Sequence, residues 1–129
     1  MFTIEQIKEA HAKVKSGADF PNYIQDLIIL GVKGYDTFVN DGHVEYYGVN
    51  NYSVISEEKY PEIKVEDTAN KERFIEFLVA HQDGQTDYIT FCNHSGQCGI
   101  AKWRVDIMEM TCTYFDKSGN EILIEKIPG

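Results

Sequence analysis

The stretch GVKGYDTFV at residues 31–39 recurs in kind as GIAKWRVDI at residues 99–107. In both stretches a glycine ends a helical pattern, and large side chains then alternate with other residues as they do in a strand. The stretches lie 68 positions apart, and the same shift places Asp19 on Asp87. Correspondence at a fixed spacing indicates an internal repeat, so we expect two similar units within this chain.

Helical patterns precede both stretches. Thr3 and Gln6 have the spacing of a capping box, which predicts a first helix that starts there and ends at Gly17. Its inward stripe is predicted to be Ile7, Ala10, His11 and Val14. Capping residues and glycine stops predict three further helices, from Asp19 to Gly31, from about Phe74 to Gly84, and from Asp87 to Gly99.

The dipeptide Asp41-Gly42 lies between two alternating segments and predicts a two-residue hairpin turn. Such a turn places Val39 opposite Val44 and Thr37 opposite Tyr46, with all four on one face of the sheet. Asn50-Asn51 predicts the next turn. The remaining strands are predicted at residues 52–56, 102–107, 110–116 and 121–127.

These patterns predict an α+β fold in which helix–helix–strand–strand–strand occurs twice. We expect one domain over residues 1–129, with repeats at 2–56 and 69–127 joined by a polar connector at 57–68. Each repeat alone is short for a stable core, so the repeats should pack against each other about a pseudo-twofold axis, with helices on an antiparallel sheet. Whether the six strands form one sheet or two is left open.

The composition excludes several classes of function. The net charge of −9 disfavours nucleic acid and anionic membrane surfaces, because both require clustered Lys and Arg. No apolar run is long enough to cross a bilayer, and no signal peptide is evident. Three cysteines cannot all pair within one chain, so no disulfide framework is implied, and we expect a cytoplasmic protein.

Two histidines are candidate ligand-binding residues. His11 and His81 lie on the predicted inward stripes of the first and third helices, about one helical turn out of register with each other. Imidazoles that meet at the seam between the repeats could act as metal ligands or as acid and base groups. The structural interpretation is that each is a core histidine bonded to a carbonyl or carboxylate group.

Tyr35 and Trp103 are the other candidate ligand-binding residues. They occupy matching positions in the two repeats, and with Tyr46 and Tyr114 they form an aromatic strip. Such a strip lines a pocket between sheet and helices or simply fills the core.

The cysteine-containing segment predicts no metal site. Cys92 and His94 point apart on a helix, and the spacing from Cys92 to Cys98 is too wide for structural zinc. Cys98 and Cys112 match core positions of the first repeat. No phosphate-binding loop or nucleophile elbow is present, so neither a cofactor nor catalytic residues are predicted.

The sequence also resembles the YbcV-like family of small bacterial proteins of unknown function, some of which carry the label "phage envelope protein". The resemblance spans essentially the whole chain. It implies a compact mixed fold and a bacterial or prophage origin, and it brings no established catalytic residues. The similar segments are Ala10-His11, Gly17-Ala18-Asp19-Phe20, Gly31-Val32-Lys33-x-Tyr35, Asp41-Gly42, Gly99-Ile100-x-Lys102-Trp103 and Thr111-Cys112-Thr113-Tyr114-Phe115-Asp116.

Two functions are compatible with these features. The favoured one is a soluble, non-catalytic binding or interaction module, whose partner is an unspecified protein or small molecule and which could be a homodimer. The alternative is a small hydrolase or isomerase at the seam between the repeats. There His11 or His81 would be the general base, and Tyr35 or Trp103 would shape the pocket.

Overall fold

The computed structural model describes residues 1–14 and 19–127, and in these ranges it contains four helices and six strands. The elements follow the predicted α-α-β-β-β order twice. They are α1 (Ile4–His11), α2 (Phe20–Leu30), β1 (Gly34–Phe38), β2 (Val44–Tyr47), β3 (Ser53–Ile55), α3 (Lys71–Gln82), α4 (Tyr88–Gln97), β4 (Lys102–Asp106), β5 (Thr111–Phe115) and β6 (Glu121–Lys126).

All six strands belong to one sheet, in the order β3-β2-β1-β4-β5-β6, and every neighbouring pair is antiparallel. This answers the question that the sequence left open and confirms the α+β class. The two central strands, β1 and β4, come from opposite halves of the chain, so the sheet itself joins the halves.

The helix signals correspond to real helix ends. Thr3 and Gln6 form the predicted capping box, with N–O distances of 2.9 and 3.2 Å. Asp87 accepts a hydrogen bond from the Thr90 amide at 2.8 Å, which caps α4. Gly31 and Gly99 follow α2 and α4 with φ of 93° and 76°, values that glycine adopts without strain. Two predicted details are wrong: α1 ends at His11, so it does not extend to Gly17, which itself lies outside the described residues, and Asp19 stands at the N-cap of α2 without a side-chain capping hydrogen bond.

The turn after β1 is wider than predicted. Thr37 pairs with Val44 and Tyr35 with Tyr46, so the predicted pairing of Val39 with Val44 is wrong by two residues, although the shared face was assigned correctly. Val39 instead donates its backbone N–H to Ala101 at 2.9 Å. The wider loop forms because the Asp41 carbonyl accepts backbone hydrogen bonds from the connector, which no local signal specifies.

Residues 57–68 lie in neither helix nor strand and form a strap that is fixed at several points by backbone hydrogen bonds. Lys59 donates to the Asp41 carbonyl at 2.8 Å, and Glu66 donates to the Gly96 carbonyl at 2.9 Å. A Cβ added at Gly96 would lie 2.8 Å from the Lys64 carbonyl oxygen, and one at Gly99 would lie 2.5 Å from that of Thr68. These glycines therefore allow the strap to contact α4 and its end directly.

The two faces of the sheet differ in composition. One face packs against the helices and contributes its side chains to the core: Tyr35, Val44, Tyr46, Trp103, Val105, Cys112 and Tyr114. The alternate positions form the opposite face, here called the open face, and its centre is polar and aromatic. Across β2, β1, β4 and β5 these positions are Glu45, Tyr47, Gly34, Asp36, Phe38, Lys102, Arg104, Asp106, Thr111, Thr113 and Phe115.

Candidate functional site

The candidate histidines occupy separate environments. His11 is exposed, which differs from its predicted place on the inward stripe, and its ring packs edge-on against Tyr23 at 5.3 Å. The part of its imidazole that is shielded from water lowers its pKa, and the charge of Lys59 lowers it further. His81 is half-buried and stacks on Phe91 at 4.5 Å. Within residues 1–14 and 19–127, no hydrogen bond or ring contact joins the two imidazoles.

His81 matches the structural interpretation of the sequence. Its Nδ1 lies 3.1 Å from the Thr86 carbonyl oxygen and 3.3 Å from the Thr86 hydroxyl oxygen, across the α3–α4 turn. These contacts place a ring nitrogen within hydrogen-bonding distance of a backbone carbonyl. They hold the imidazole against the end of its own helix.

Tyr35 and Trp103 are both in the core, each with 8 % of its surface exposed. The Tyr35 ring lies 5.5 Å from that of Tyr46, and Trp103 packs 5.6 Å from Phe91 and 6.0 Å from Tyr114. Burial raises the pKa of Tyr35 far above its ordinary value, so the phenol stays protonated. These residues fill the space between helices and sheet.

On the helix side of the sheet, the described cysteines and other potential metal-ligating side chains do not form a candidate site. Cys92, Cys98 and Cys112 are buried and unpaired. In the part of the chain that the structure describes, no three His, Cys, Asp or Glu side chains converge as a metal site would require. His94 stacks on Phe77 at 3.8 Å.

The centre of the open face holds an ion pair that joins the two halves of the chain. Asp36 and Arg104 are directly paired across β1 and β4, and the Arg104 Nε and Nη2 atoms donate to the two Asp36 oxygens at 2.7 and 3.0 Å. Two parallel hydrogen bonds of this kind fix the plane of the guanidinium. The Asp36 side chain is only 2 % exposed, whereas that of Arg104 is 48 % exposed.

Further donors stabilise the Asp36 carboxylate. The Tyr47 hydroxyl donates to it at 2.7 Å, and the Lys102 Nζ lies 3.4 Å away. Burial alone would raise the pKa of Asp36, but hydrogen bonds from Arg104 and Tyr47 and the charges of Arg104 and Lys102 outweigh it. Its pKa therefore lies below the ordinary value of 3.8. Asp36 is charged at neutral pH, and its hydrogen bonds in turn raise the pKa of Arg104.

Aromatic rings flank the cations of this cluster. The Lys102 ammonium lies 5.2 Å from the centre of the Phe115 ring and 5.7 Å from that of Phe38. The Arg104 guanidinium also lies 5.7 Å from the Phe115 ring. Such contacts stabilise a cation at a fixed position without hydrogen-bonding it.

A hollow lies beside the ion pair, where Gly34 leaves the open face without a side chain. Gly34 pairs with Tyr47 on one side and Asp106 on the other. The hollow, here called the Gly34 hollow, has a volume of about 280 Å³ and is open to solvent. Its lining residues are Lys33, Gly34, Tyr47, Arg104, Val105, Asp106 and Met108.

The Gly34 hollow is lined by groups that can bind a ligand. A guanidinium has five N–H donors, and Asp36 accepts from two of them, so Arg104 keeps further donors while its orientation is fixed. Lys33 adds a second cation at the rim, Asp106 adds an anion, and Met108, which is 74 % exposed, adds an apolar surface. The arrangement places two cationic residues and one anionic residue around a lining whose exposed surface is mostly apolar.

None of the central residues of the Gly34 hollow was among the candidates predicted from the sequence. The missed signal is the 68-residue shift, which places Asp36 on Arg104. If a twofold axis passes through an antiparallel pair of equivalent strands, one residue must pair with the equivalent residue of the other repeat. Here those two residues carry opposite charges. Charged residues at this position were therefore a detectable signal for a contact between the halves.

A search of curated proteins finds no match to this chain. A family model does match it, over residues 8–126, and that family is described as "Protein of unknown function (DUF1398)". The match covers nearly all of the sequence and every strand of the sheet. The chain belongs to the DUF1398 family of proteins of unknown function.

Proposed function

We propose that this protein is a soluble, non-catalytic binding module and that its ligand site is the Gly34 hollow on the open face. One observation carries the proposal. Arg104 is held in a fixed orientation by a buried carboxylate, yet nearly half of its side chain is exposed beside a hollow of molecular size. A binding group that is already oriented loses little conformational freedom when a ligand arrives, which favours affinity.

The local charge supports a charged ligand even though the whole chain is acidic. Among the residues that line the Gly34 hollow, Lys33 and Arg104 are cations and Asp106 is an anion, so the lining has a formal charge of +1 within a chain of net charge −9. The local excess of cations reduces the repulsion of an anionic group there. Short-range hydrogen bonds from Arg104 can then decide binding, since screening in water limits the rest.

The proposal is tested by identifying what the protein retains from a small-molecule extract of a bacterial cell. Wild-type protein and the variants Arg104→Gln, Lys33→Ala and Arg73→Gln are incubated with the extract, filtered, denatured, and examined by mass spectrometry. Arg73 is the matched control, because it is the other arginine of the chain and lies on α3. A compound retained by the wild type and Arg73→Gln, and lost from Arg104→Gln and Lys33→Ala, supports the site.

Two outcomes would overturn the proposal. One is that no compound is enriched by the wild-type protein. The other is that the enriched compound is retained equally by Lys33→Ala and Arg104→Gln. Lys33→Ala removes an exposed rim residue outside the ion pair, so it tests the site even if Arg104→Gln fails to fold.

Several finer predictions remain proposals of the same kind. We propose a cytoplasmic location, a bacterial or prophage origin and kinship with YbcV-like proteins, on the residues given above. We also propose that the chain arose by duplication of a half-length unit, and the repeated element order together with the single sheet supports this. The hydrolase or isomerase alternative stays a prediction, which replacing His11 and His81 together by Gln would test through loss of ligand binding.

A further inference from the structure

The open face contains a second position that corresponds closely to Gly34. The pairings of Gly34 with Tyr47 and Asp106 recur 68 residues later, where Lys102 pairs with Phe115 and Phe38. Gly34 lies diagonally from Arg104, and Lys102 lies diagonally from Asp36. The two positions are therefore equivalently placed around the central ion pair. Gly34 has Arg104 as its charged neighbour, and Lys102 has Asp36.

At the second position a side chain of the protein occupies the equivalent space. The Lys102 stem runs between Phe38 and Phe115, and its ammonium lies 3.4 Å from the Asp36 carboxylate. At Gly34 a Cβ would lie 2.6 Å from the Val105 carbonyl oxygen, so no side chain fits at that position, but Gly34 lines the hollow and the corresponding charged partner is Arg104. At the Lys102 position, a cation of the protein binds the Asp36 carboxylate. By analogy, the group that suits Arg104 at the Gly34 position is an anion on a stem of similar length.

Asp106 adds a second requirement to the ligand. Asp106 pairs with Gly34 as Phe38 pairs with Lys102. Its carboxylate therefore lies beside any ligand chain that extends through the hollow to Arg104. Its Oδ1 accepts a hydrogen bond from the Glu109 amide at 3.0 Å, and no residue within 1–14 and 19–127 donates to its other oxygen. A simple anion would be repelled by Asp106, whereas a ligand that also carries an ammonium group would pair with its other oxygen.

From these contacts we propose that the Gly34 hollow binds a small zwitterion of the amino-acid class, with its carboxylate on Arg104 and its ammonium group on Asp106. This rests on the proposed function and names its ligand class. A zwitterion has no net charge, so the net charge of −9 neither attracts nor repels it at long range. The length of the stem between the two charges is left to the experiment.

The experiment is an NMR titration of ¹⁵N-labelled protein with four probes. These are 4-aminobutanoate, butanoate, butylammonium and inorganic phosphate. Glycine and 3-aminopropanoate are two further probes, which vary the length of the chain between the ammonium and the carboxylate. The reporters are the Gly34 and Asp106 amides and the Arg104 Nε–H signal. The expected result is saturable shifts at these signals with an amino acid, and at least about ten-fold weaker binding of butanoate and butylammonium, one step of 1.4 kcal/mol.

The variant Asp106→Asn sharpens the test, because it keeps an oxygen acceptor for the Glu109 amide and removes the charge. It should weaken binding of the zwitterion and strengthen binding of butanoate. Tighter binding of butanoate or phosphate than of any amino acid by the wild type would overturn the zwitterion assignment and leave the site intact. Absence of shifts with every probe would overturn both the assignment and the site.

Discussion

Asp36 and Arg104 face each other directly across the two central strands, 68 residues apart in the chain, and form a two-point ion pair. The Asp36 side chain is almost fully buried by its partners although it lies on the open face. A buried charge destabilises the folded protein unless its partner stays in place, so removal of either residue would leave the other destabilising. The pair therefore fixes the junction of the two halves and orients Arg104 for binding.

Replacing Asp36 by Asn should destabilise the protein by about 2–3 kcal/mol. The substitution removes the charge that Arg104 and Lys102 share, and the Arg104 half of the pair is partly solvated, which keeps the loss below that of a fully buried pair. Urea unfolding at neutral pH measures it. The matched control is Asp67→Asn, because Asp67 also pairs with a lysine, Lys117, but is exposed to solvent, and this change should leave the unfolding free energy nearly unchanged. Equal effects of the two variants would contradict a structural role for the central pair.

Acidification should remove the contribution that the ionised Asp36 carboxylate makes to the unfolding free energy. Because the pKa of Asp36 in the folded protein lies below its ordinary value of 3.8, its ionisation stabilises the folded state fully at pH values above 3.8. That stabilisation is lost as the pH falls through the lower folded pKa. Unfolding free energies measured between neutral pH and the acid range should fall more steeply for the wild type than for Asp36→Asn. Parallel curves for the two proteins would show that Asp36 does not titrate in this way.

Local signals were sufficient to predict the order of elements and most helix ends, although α1 ends at His11 and not at Gly17. The Thr3–Gln6 capping box and the Gly31 and Gly99 stops each depend on residues within a few positions of one another. The turn at Asp41-Gly42 was not predictable in the same way. Its width depends on the strap, whose Lys59 amide lies 18 residues further along the chain.

The candidate site was harder to predict for a related reason. Aromatic and histidine residues attract attention in a sequence, but Tyr35 and Trp103 are core residues here, while the charged residues of the same strands build the Gly34 hollow. Polar residues that alternate with apolar ones usually face solvent and have no specific role. Only the pairing of β1 with β4 shows that Asp36 and Arg104 meet, and that pairing is a long-range contact.

Removing the Lys102 side chain should open a second hollow that accepts a cation. In Lys102→Ala the rings of Phe38 and Phe115 and the Asp36 carboxylate remain, and these are the groups that now hold the ammonium. The variant should lose about 1 kcal/mol of stability, since the Lys102 stem is mostly buried but its charge is partly solvated. Added butylammonium should raise its melting temperature and leave the wild type unchanged. Butanoate is the control probe, and a stronger effect of butanoate than of butylammonium would refute the correspondence between the two positions.

Gly96 should not tolerate even a methyl group, although it lies inside a helix. Glycine to alanine in a helix normally stabilises by about 0.5–1 kcal/mol. Here a Cβ would lie 2.8 Å from the Lys64 carbonyl oxygen and 2.9 Å from the Ile63 side chain, so the strap would have to move. We expect Gly96→Ala to destabilise by roughly 1–3 kcal/mol. Thermal unfolding measures the change, with Gln97→Ala on the exposed side of α4 as the control, and a stabilised Gly96→Ala protein would show that the strap yields easily.

The three thiols should be unreactive in the folded protein. Burial raises the pKa of each, to about 12 for Cys112, and for Cys92 it outweighs the hydroxyls of Tyr60 and Tyr88 and the charge of Lys59, which act in the opposite direction. Since the thiolate is the reactive form, both access and ionisation limit modification. Ellman's reagent at pH 8 should therefore modify no thiol until the protein opens, and all three in guanidinium chloride. The variant Cys92→Ser identifies any early reaction at that residue, and rapid modification of Cys92 in the native state would instead favour a reactive centre on the helix side of the sheet.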